Sequence, residues 1–495
     1  MDSNCPVCAS NYHRGSIKKR LIVCCDGTFS GVDKGDDQYS SNVSRLSRAI
    51  SRVGITAEGS KVSQVVYYQS SVGTGSLTVV NKARAVGESL AEKVCEAYNY
   101  LANNWSPGDE IFIFGFSRGA YTARSLAGTI CEVGLLTPLM LDHFYDIYLA
   151  YRNRGPKKLE RTQEARGDGL SQNSLNCWRA RDLGTRIDFL RRSTHDYIKI
   201  KVVGVWNTVG SLGATHWFTQ AGEDSTFHST KLSPSRITLQ LFCLSMKTCG
   251  KFPPTLWYLD SSCMDENKNP KVNLKQCWFP GYHSDVCGHS KGNIDTNSID
   301  EIAFAWMCDQ LFGLLQFSGI ALQKYILFRI GDLRAAWSTI KWSDGTLNES
   351  NGWTDWWWIP SLLSTRSASY KRIPGETPAS EVVNGKEKKI DYKLFNEEVH
   401  PCVHHRMLNA EGQAYMPAGL NKANGWDYVA ASAARQAHWV KRKPDGQEII
   451  LNEYIIPKLS EPFQPGSGYD FWQGSLERTL APKDILAAQD ASTQK

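Results

Sequence analysis

The sequence predicts an α/β fold, a mostly parallel central sheet flanked by helices, and three observations carry that expectation. Short continuous apolar runs such as Leu21-Ile22-Val23-Cys24-Cys25 and Ile111-Phe112-Ile113-Phe114 have the length and composition of strands buried on both faces. Between such runs lie stretches with apolar residues at helical spacing, and strands alternating with helices imply crossover connections and parallel pairing. The third observation is local. The second run passes straight into Gly115-Phe116-Ser117-Arg118-Gly119 and then into the helix-forming Ala120-Tyr121-Thr122-Ala123-Arg124. A serine in a sharp turn between strand and helix, flanked by glycines at Gly115 and Gly119, is the nucleophile elbow of an α/β-hydrolase-like sheet. With 40 glycines in the chain the five-residue motif alone is weak, and the strand before it and helix after it make it a signal.

In chain order, residues 1–19 form a polar leader whose start, Met1-Asp2-Ser3-Asn4-Cys5, has neither a basic region nor an apolar stretch, so the chain is expected to be cytoplasmic. Residues 20–25 form the first strand, closed by the turn signal Asp26-Gly27-Thr28. Residues 42–50 have apolar positions at helical spacing, and residues 64–68 return to a strand pattern before Gly73-Thr74-Gly75. Residues 81–104 are helical, with Ala91, Val94, Cys95, Tyr98 and Leu101 on one side. Past the elbow, residues 151–195 are charged and rich in Gly, Ser and Asn, which predicts a lid-like insertion over the sheet. Strands follow at residues 198–206 and 275–280, so the catalytic domain is expected over 20–311. A Trp-rich, loop-rich C-terminal region over 312–495 is expected to pack on or cover it. Its Trp356-Trp357-Trp358 cluster suits peripheral contact with a membrane interface or, more commonly, buried packing.

Composition removes several function classes. A net charge of +6 over 495 residues, not gathered on one face, argues against nucleic-acid binding. No apolar run approaches the roughly 20 residues of a membrane-spanning helix; the longest, around residues 311–328, is broken by Gln316, Ser318, Gln323 and Lys324. The 14 cysteines are dispersed through apolar segments, as small core residues in a reducing compartment would be. Cys5-Pro6-Val7-Cys8, with His13 nearby, is half a zinc site without a second pair, so no metal and no cofactor are expected.

An activated serine needs a base, a group orienting that base, and backbone donors for the oxyanion. Ser117 is the candidate nucleophile. His283, in Trp278-Phe279-Pro280-Gly281-Tyr282-His283-Ser284-Asp285-Val286, lies on a loop after a late strand, where this type of sheet carries its base. His289 is its nearest rival. The oxyanion amides are expected from Arg118, which follows the nucleophile, and from the earlier turn at Asp26, Gly27 and Thr28.

Several motifs occur together and in order: Cys25-Asp26-Gly27-Thr28, Ser41-Asn42-Val43, Gly73-Thr74-Gly75, the Gly115–Arg124 elbow, Gly204-Val205-Trp206-Asn207-Thr208-Val209-Gly210, Pro253-Pro254-Thr255-Leu256-Trp257 and Phe279–Val286. In these the chain resembles the catalytic domain of the type VI secretion phospholipase effectors, over about residues 20–310. The resemblance implies an α/β-hydrolase fold, a Ser-Asp-His triad and a lipid or other acyl-ester substrate. Where that family carries aspartate, this chain has Asn207. An amide does not offset an imidazolium charge and is able to favour the wrong histidine tautomer, a change that costs about 10⁴-fold in serine proteases. Asp285, two residues past His283, is the other carboxylate available to the base. The chain also departs from the family at Met246-Lys247-Thr248-Cys249 and at Cys287-Gly288-His289. Two readings follow, an esterase or phospholipase-like hydrolase and a pseudo-hydrolase that binds without turnover.

Overall fold

The computed structural model describes residues 18–27, 40–70, 79–145, 147–148, 194–195, 198–208, 237–246, 256–259, 263–267, 269–288, 299–322, 325, 374–376, 380–383, 386–409, 415, 417, 419–432, 435–459 and 474–493. Several sequence expectations fall outside these residues: Thr28, Gly73-Thr74-Gly75, nearly all of the 151–195 insertion, the Cys5/Cys8/His13 group, His289 and the Trp353–Trp358 cluster.

The elements are β1 (Lys19–Cys25), α1 (Asn42–Ala49), β2 (Val53–Ile55), β3 (Lys61–Gln69), α2 (Val79–Asn104), β4 (Glu110–Phe116), α3 (Arg118–Val133), β5 (Ile200–Trp206), β6 (Ile237–Ser245), β7 (Asn273–Phe279) and α4 (Ile299–Gln310). They continue with β8 (Ser380–Val383), β9 (Lys386–Lys389), β10 (Glu397–Val399), α5 (Pro401–Asn409), β11 (Trp426–Val429), β12 (His438–Arg442), β13 (Glu448–Glu453), α6 (Leu476–Leu480) and α7 (Lys483–Thr493). Among the described residues the main sheet has 11 strands in the order β11-β12-β13-β10-β7-β6-β5-β4-β1-β3-β2. From β3 across to β13 every adjacent pair is parallel, and antiparallel pairing is confined to β2 at one edge and to β11 and β12 at the other.

The apolar runs are buried on both faces because successive side chains of a strand point to opposite sides of the sheet. Leu21, Val23, Ile111, Ile113, Val203 and Val205 pack on one side, under Val94, Tyr98 and Leu101 of α2 and Ala123, Leu126 and Ile130 of α3. Ile22, Cys24, Phe112, Phe114, Val202 and Trp206 pack on the other, under Val43 and Leu46 of α1 and Ile302, Trp306 and Met307 of α4. The result is a mixed α/β molecule with helices on both faces of a mostly parallel sheet.

The region past residue 312, expected as an extension packed on or over the catalytic domain, contributes β10 to β13 to the same sheet. The join is β10, whose residues Glu397, Glu398 and Val399 pair with Gln276, Cys277 and Trp278. Three residues, two of them acidic, carry no period-2 apolar pattern, so the sequence does not announce this strand. β6 was likewise not anticipated as a strand, although Ile237–Ser245 is buried along nearly its whole length.

The C-terminal helices are fastened by buried carboxyls. Asp309, near the end of α4, accepts from Ser475 Oγ at 2.5 Å, Leu476 N at 2.9 Å and Glu477 N at 3.1 Å, and so satisfies the first amides of α6. Glu477 accepts from the Tyr454 hydroxyl at 2.9 Å. Its other oxygen lies 2.9 Å from His400 Nε2, while His400 Nδ1 accepts from Cys402 N, so Nε2 carries the proton. Burial raises Glu477 to about 8 and lowers His400 to about 3. A carboxyl raised in the fold contributes stability fully below its ordinary value of 4.5 and loses it as pH climbs toward about 8. His400 acts oppositely, contributing above 6.5 and losing as pH falls toward about 3. Glu477→Gln keeps an acceptor for His400 and removes the titration. Thermal unfolding across this pH range should therefore show a shallower loss of Tm toward alkaline pH in the variant, and an unchanged slope would refute the assignment.

Candidate functional site

Five strand ends meet at the carboxyl edge of the parallel sheet, the edge where open α/β sheets bind their ligands. Asp26 and Gly27 follow β1, Ser117 follows β4, Asn207 follows β5, Ser245 ends β6, and His283 sits on the loop after β7. Backbone bonds carry the ladder one step past the strands: Asp26 N donates to Gln69 O at 2.9 Å, Ser117 N to Trp206 O at 3.2 Å, Asn207 N to Cys243 O at 2.8 Å and Met246 N to Phe279 O at 3.1 Å. Side chains far apart in sequence are thereby set in register with one another.

Ser117 has φ 54° and ψ −118°, a backbone conformation that is sparsely populated for a residue with a side chain and is held only by its surroundings. Those surroundings leave no room beside it. A Cβ on Gly115 would lie 2.4 Å from Gly119 O, and one on Gly119 would lie 2.1 Å from Cys25 O and 2.4 Å from Asp26 O. The first turn of α3 therefore rests directly on the backbone at the end of β1. Cys25 itself is no competing nucleophile, because burial pushes its thiol up to about 12.

His283 Nε2 lies 2.8 Å from Ser117 Oγ, and its ring stacks on Phe116 with centroids 4.9 Å apart. On the far side, Nδ1 lies 2.5 Å from the amide nitrogen of Asn207, which also donates to Ser245 Oγ at 3.0 Å. Ser117 and His283 are half-buried, whereas Asn207 and Ser245 are fully buried. With the amide nitrogen assigned to this side, each of its two hydrogens has an acceptor. Nδ1 is then the acceptor of the pair, and the imidazole proton sits on Nε2, facing the serine.

The other sequence candidates are placed as follows. Asp285, fully buried, accepts from Tyr282 N at 2.8 Å and folds the loop that carries His283. Asp26 accepts from Ser41 Oγ and from the Tyr68 hydroxyl, each at 2.6 Å, and from Gly27 N at 2.7 Å. The Gly27 amide, expected to face the oxyanion, is thus engaged by its neighbour's carboxyl. Gly27 also leaves space at the site, since a Cβ there would lie 2.6 Å from the Phe116 ring and 3.4 Å from Ser117 Cβ. Arg118 opens α3 immediately after the serine. Of the chain's other histidines, His195 packs beside Trp105, His400 against Glu477, His404 on Tyr428, and His438 lies at the start of β12. Sequence reasoning did not find Ser245. It is one polar residue inside Leu241-Phe242-Cys243-Leu244-Ser245-Met246, and only the pairing of β5 with β6 brings it to Asn207.

Fold and site together define a mixed α/β protein with a strained serine, a histidine and an amide aligned at the carboxyl edge of a parallel sheet. The family described as T6SS, phospholipase effector Tle1-like, catalytic domain, matches residues 19–310, more than half of the chain, and the chain belongs to that family. Among curated proteins it is similar to the "Uncharacterized protein YEL023C" of Saccharomyces cerevisiae, 29% identical over 217 residues. That match covers 40% of this chain and spans only 28% of the yeast protein's length. Among solved structures, the Tle1 effector bound to the VgrG spike from the type 6 secretion system is 14% identical, covering 60% of each chain with a TM-score of 0.30. An uncharacterized protein from Pseudomonas aeruginosa is 16% identical, covering 60% of this chain and 46% of that one, with a TM-score of 0.29. Among the described residues, no helix is long and apolar enough to cross a membrane.

Proposed function

We propose that this chain is a serine hydrolase of the α/β-hydrolase type that cleaves an acyl ester, with a lipid as the substrate class. The observation that carries the reading is the 2.8 Å approach of His283 Nε2 to the hydroxyl of a strained, half-buried Ser117. The strand order, with the serine after β4 and the histidine after β7, supports the fold assignment, and family membership supports the lipid. In this mechanism Ser117 Oγ attacks the acyl carbonyl while His283 Nε2 takes its proton, and the Arg118 amide, the one that follows the nucleophile, faces the developing oxyanion. His283 then returns the proton to the departing alcohol, and a water repeats the sequence on the acyl-enzyme. General-base action needs the lone pair of Nε2, so the amide of Asn207 must present its oxygen to Nδ1. In the orientation described above it presents its nitrogen, which predicts slow turnover.

Labelling with a fluorophosphonate probe tests the reading. Folded wild-type protein should take the label at Ser117, the Ser117→Ala control should take none, and a folded wild type that stays unlabelled on prolonged exposure would overturn it. Labelling without hydrolysis of any acyl ester would favour the second reading, for which Asn207 speaks, a pseudo-hydrolase that keeps the pocket for binding and has lost turnover.

A further inference from the structure

We propose that Ser41 and Asn42, at the start of α1, are positioning residues that fix the loop carrying His283 against the turn after β1. The inference rests on the serine-hydrolase reading for its kinetic consequence, whereas the contacts stand without it. Both side chains are buried. Asn42 serves the base loop. Its backbone N–H donates to Cys287 O at 2.7 Å, and its Nδ2 donates to Val286 O at 3.1 Å and to Asp300 O at 2.8 Å. Its Oδ1 accepts from the Arg45 guanidinium at 3.2 Å. Carbonyl oxygens only accept and a guanidinium only donates, so this amide has one workable orientation and spends both hydrogens of Nδ2 in it. The loop is a compact turn, with Asp285 N donating to Tyr282 O at 3.2 Å and Cys287 N to Ser284 O at 3.3 Å, so holding its end holds the histidine within it. Just past that end Gly288 has φ 72°, and a Cβ there would lie 3.2 Å from Ser40 O.

Ser41 serves the other wall. Its Oγ caps α1 by accepting from Ser44 N at 3.0 Å, and its hydroxyl donates to Asp26 Oδ2 at 2.6 Å. Asp26 belongs to the turn on which the elbow rests, since a Cβ on Gly119 would lie 2.4 Å from Asp26 O and one on Gly27 would lie 3.4 Å from Ser117 Cβ. Adjacent residues of one helix start therefore grip the turn beside the nucleophile and the loop that carries the base. A planar peptide unit joins them, so the two grips keep a fixed spacing. Reacting groups displaced by about 1 Å lose on the order of 10²-fold in rate, which is the scale of error this pair guards against.

Substitutions separate the two grips. Asn42→Ala removes the side-chain bonds to Val286 and Asp300, and Asn42→Asp keeps the volume and suits the first turn of a helix while turning a carboxylate oxygen toward two carbonyls. Ser41→Gly keeps most of the capping strength, because glycine is only slightly worse than serine at an N-cap, and deletes the donor to Asp26. Ser475→Ala removes the cap of α6 instead and controls for lost stability alone. In full-length protein, at a temperature where each variant is folded, the maximal rate of fluorophosphonate labelling at Ser117 should fall about tenfold or more in both Asn42 variants and in Ser41→Gly, with the half-saturating probe concentration unchanged. Ser475→Ala should lower Tm and keep the labelling rate. Amide hydrogen exchange reads the seating itself: residues 281–287 should exchange faster in the Asn42 variants, and the segment at Gly27 in Ser41→Gly. Wild-type labelling rates in the folded Asn42 variants or in folded Ser41→Gly would overturn the proposal, as would unchanged exchange at either segment. A wild type that takes no label removes the hydrolase reading, and the exchange pattern then decides whether the pair holds these two segments.

Discussion

On the proposed serine-hydrolase reading, Asn207→Asp is expected to raise esterase turnover by a factor on the order of 10³, judged from the loss of about 10⁴-fold that the reverse change causes in serine proteases. The carboxylate offers His283 Nδ1 only an acceptor, so the ring proton is held on Nδ1 and Nε2 is left free to take the proton of Ser117. It also offsets the imidazolium charge that forms as Oγ attacks, which an amide does not. The gain carries a structural cost. Position 207 is fully buried at φ 40°, so a charge placed there is taken out of water beside the ring and the hydroxyl of Ser245. The variant should therefore unfold at lower temperature than wild type while turning over faster. The measurement is kcat/KM on a short-chain p-nitrophenyl ester and on phospholipid vesicles, with Ser117→Ala/Asn207→Asp as the blank. A folded variant with no gain would remove Asn207 from the role of orienting the base.

Gly119→Ala should be the most damaging single methyl group in the described chain near the site. Its Cβ would sit 2.1 Å from Cys25 O and 2.4 Å from Asp26 O, both backbone atoms, Cys25 being held in the strand pairing and Asp26 by its N–H to Gln69 O. No rotamer change relieves such a contact; either α3 lifts away from β1 or the turn at Asp26 shifts. Overpacking in a close-packed interior costs about 1–3 kcal/mol where side chains yield, and here about 3 kcal/mol or more because backbone must move. Gly59→Ala is the control, since nothing lies within 4 Å of that position and only its φ of 80° resists the methyl. Denaturant midpoints should fall steeply for Gly119→Ala and mildly for Gly59→Ala, and Gly119→Ala should also lose probe labelling because Ser117 is displaced. Near-native stability in Gly119→Ala would mean that α3 does not rest on the end of β1.

Much of this architecture is legible from local pattern. β1, β3, β4, β5 and β7 announce themselves as apolar runs, and α1 and α2 as helical periods, because their partners bury whole faces of them. β10 does not, being three residues long and two-thirds acidic, and its strand state exists only because β7 and β13 flank it. Glu397 shows why such a residue is tolerated. It accepts from Trp278 Nε1 at 2.7 Å and from the Gly375 amide, and burial raises it to about 7.

At the site, the chain's own residues determine the elbow. Ser117 is bracketed by Gly115 and Gly119 within one strand-turn-helix, a geometry set by neighbours a few residues away, and the order of Ser117, Asn207 and His283 is likewise written in the sequence. The proton arrangement is decided only in three dimensions. Asn207 reaches His283 across 76 residues and Ser245 across 38, and the contacts exist because parallel pairing of β5, β6 and β7 brings three strand ends level at one edge. Which nitrogen of His283 holds the proton depends on which end of a buried amide faces it. That choice follows from donors and acceptors gathered by the sheet, and no local run of residues encodes it.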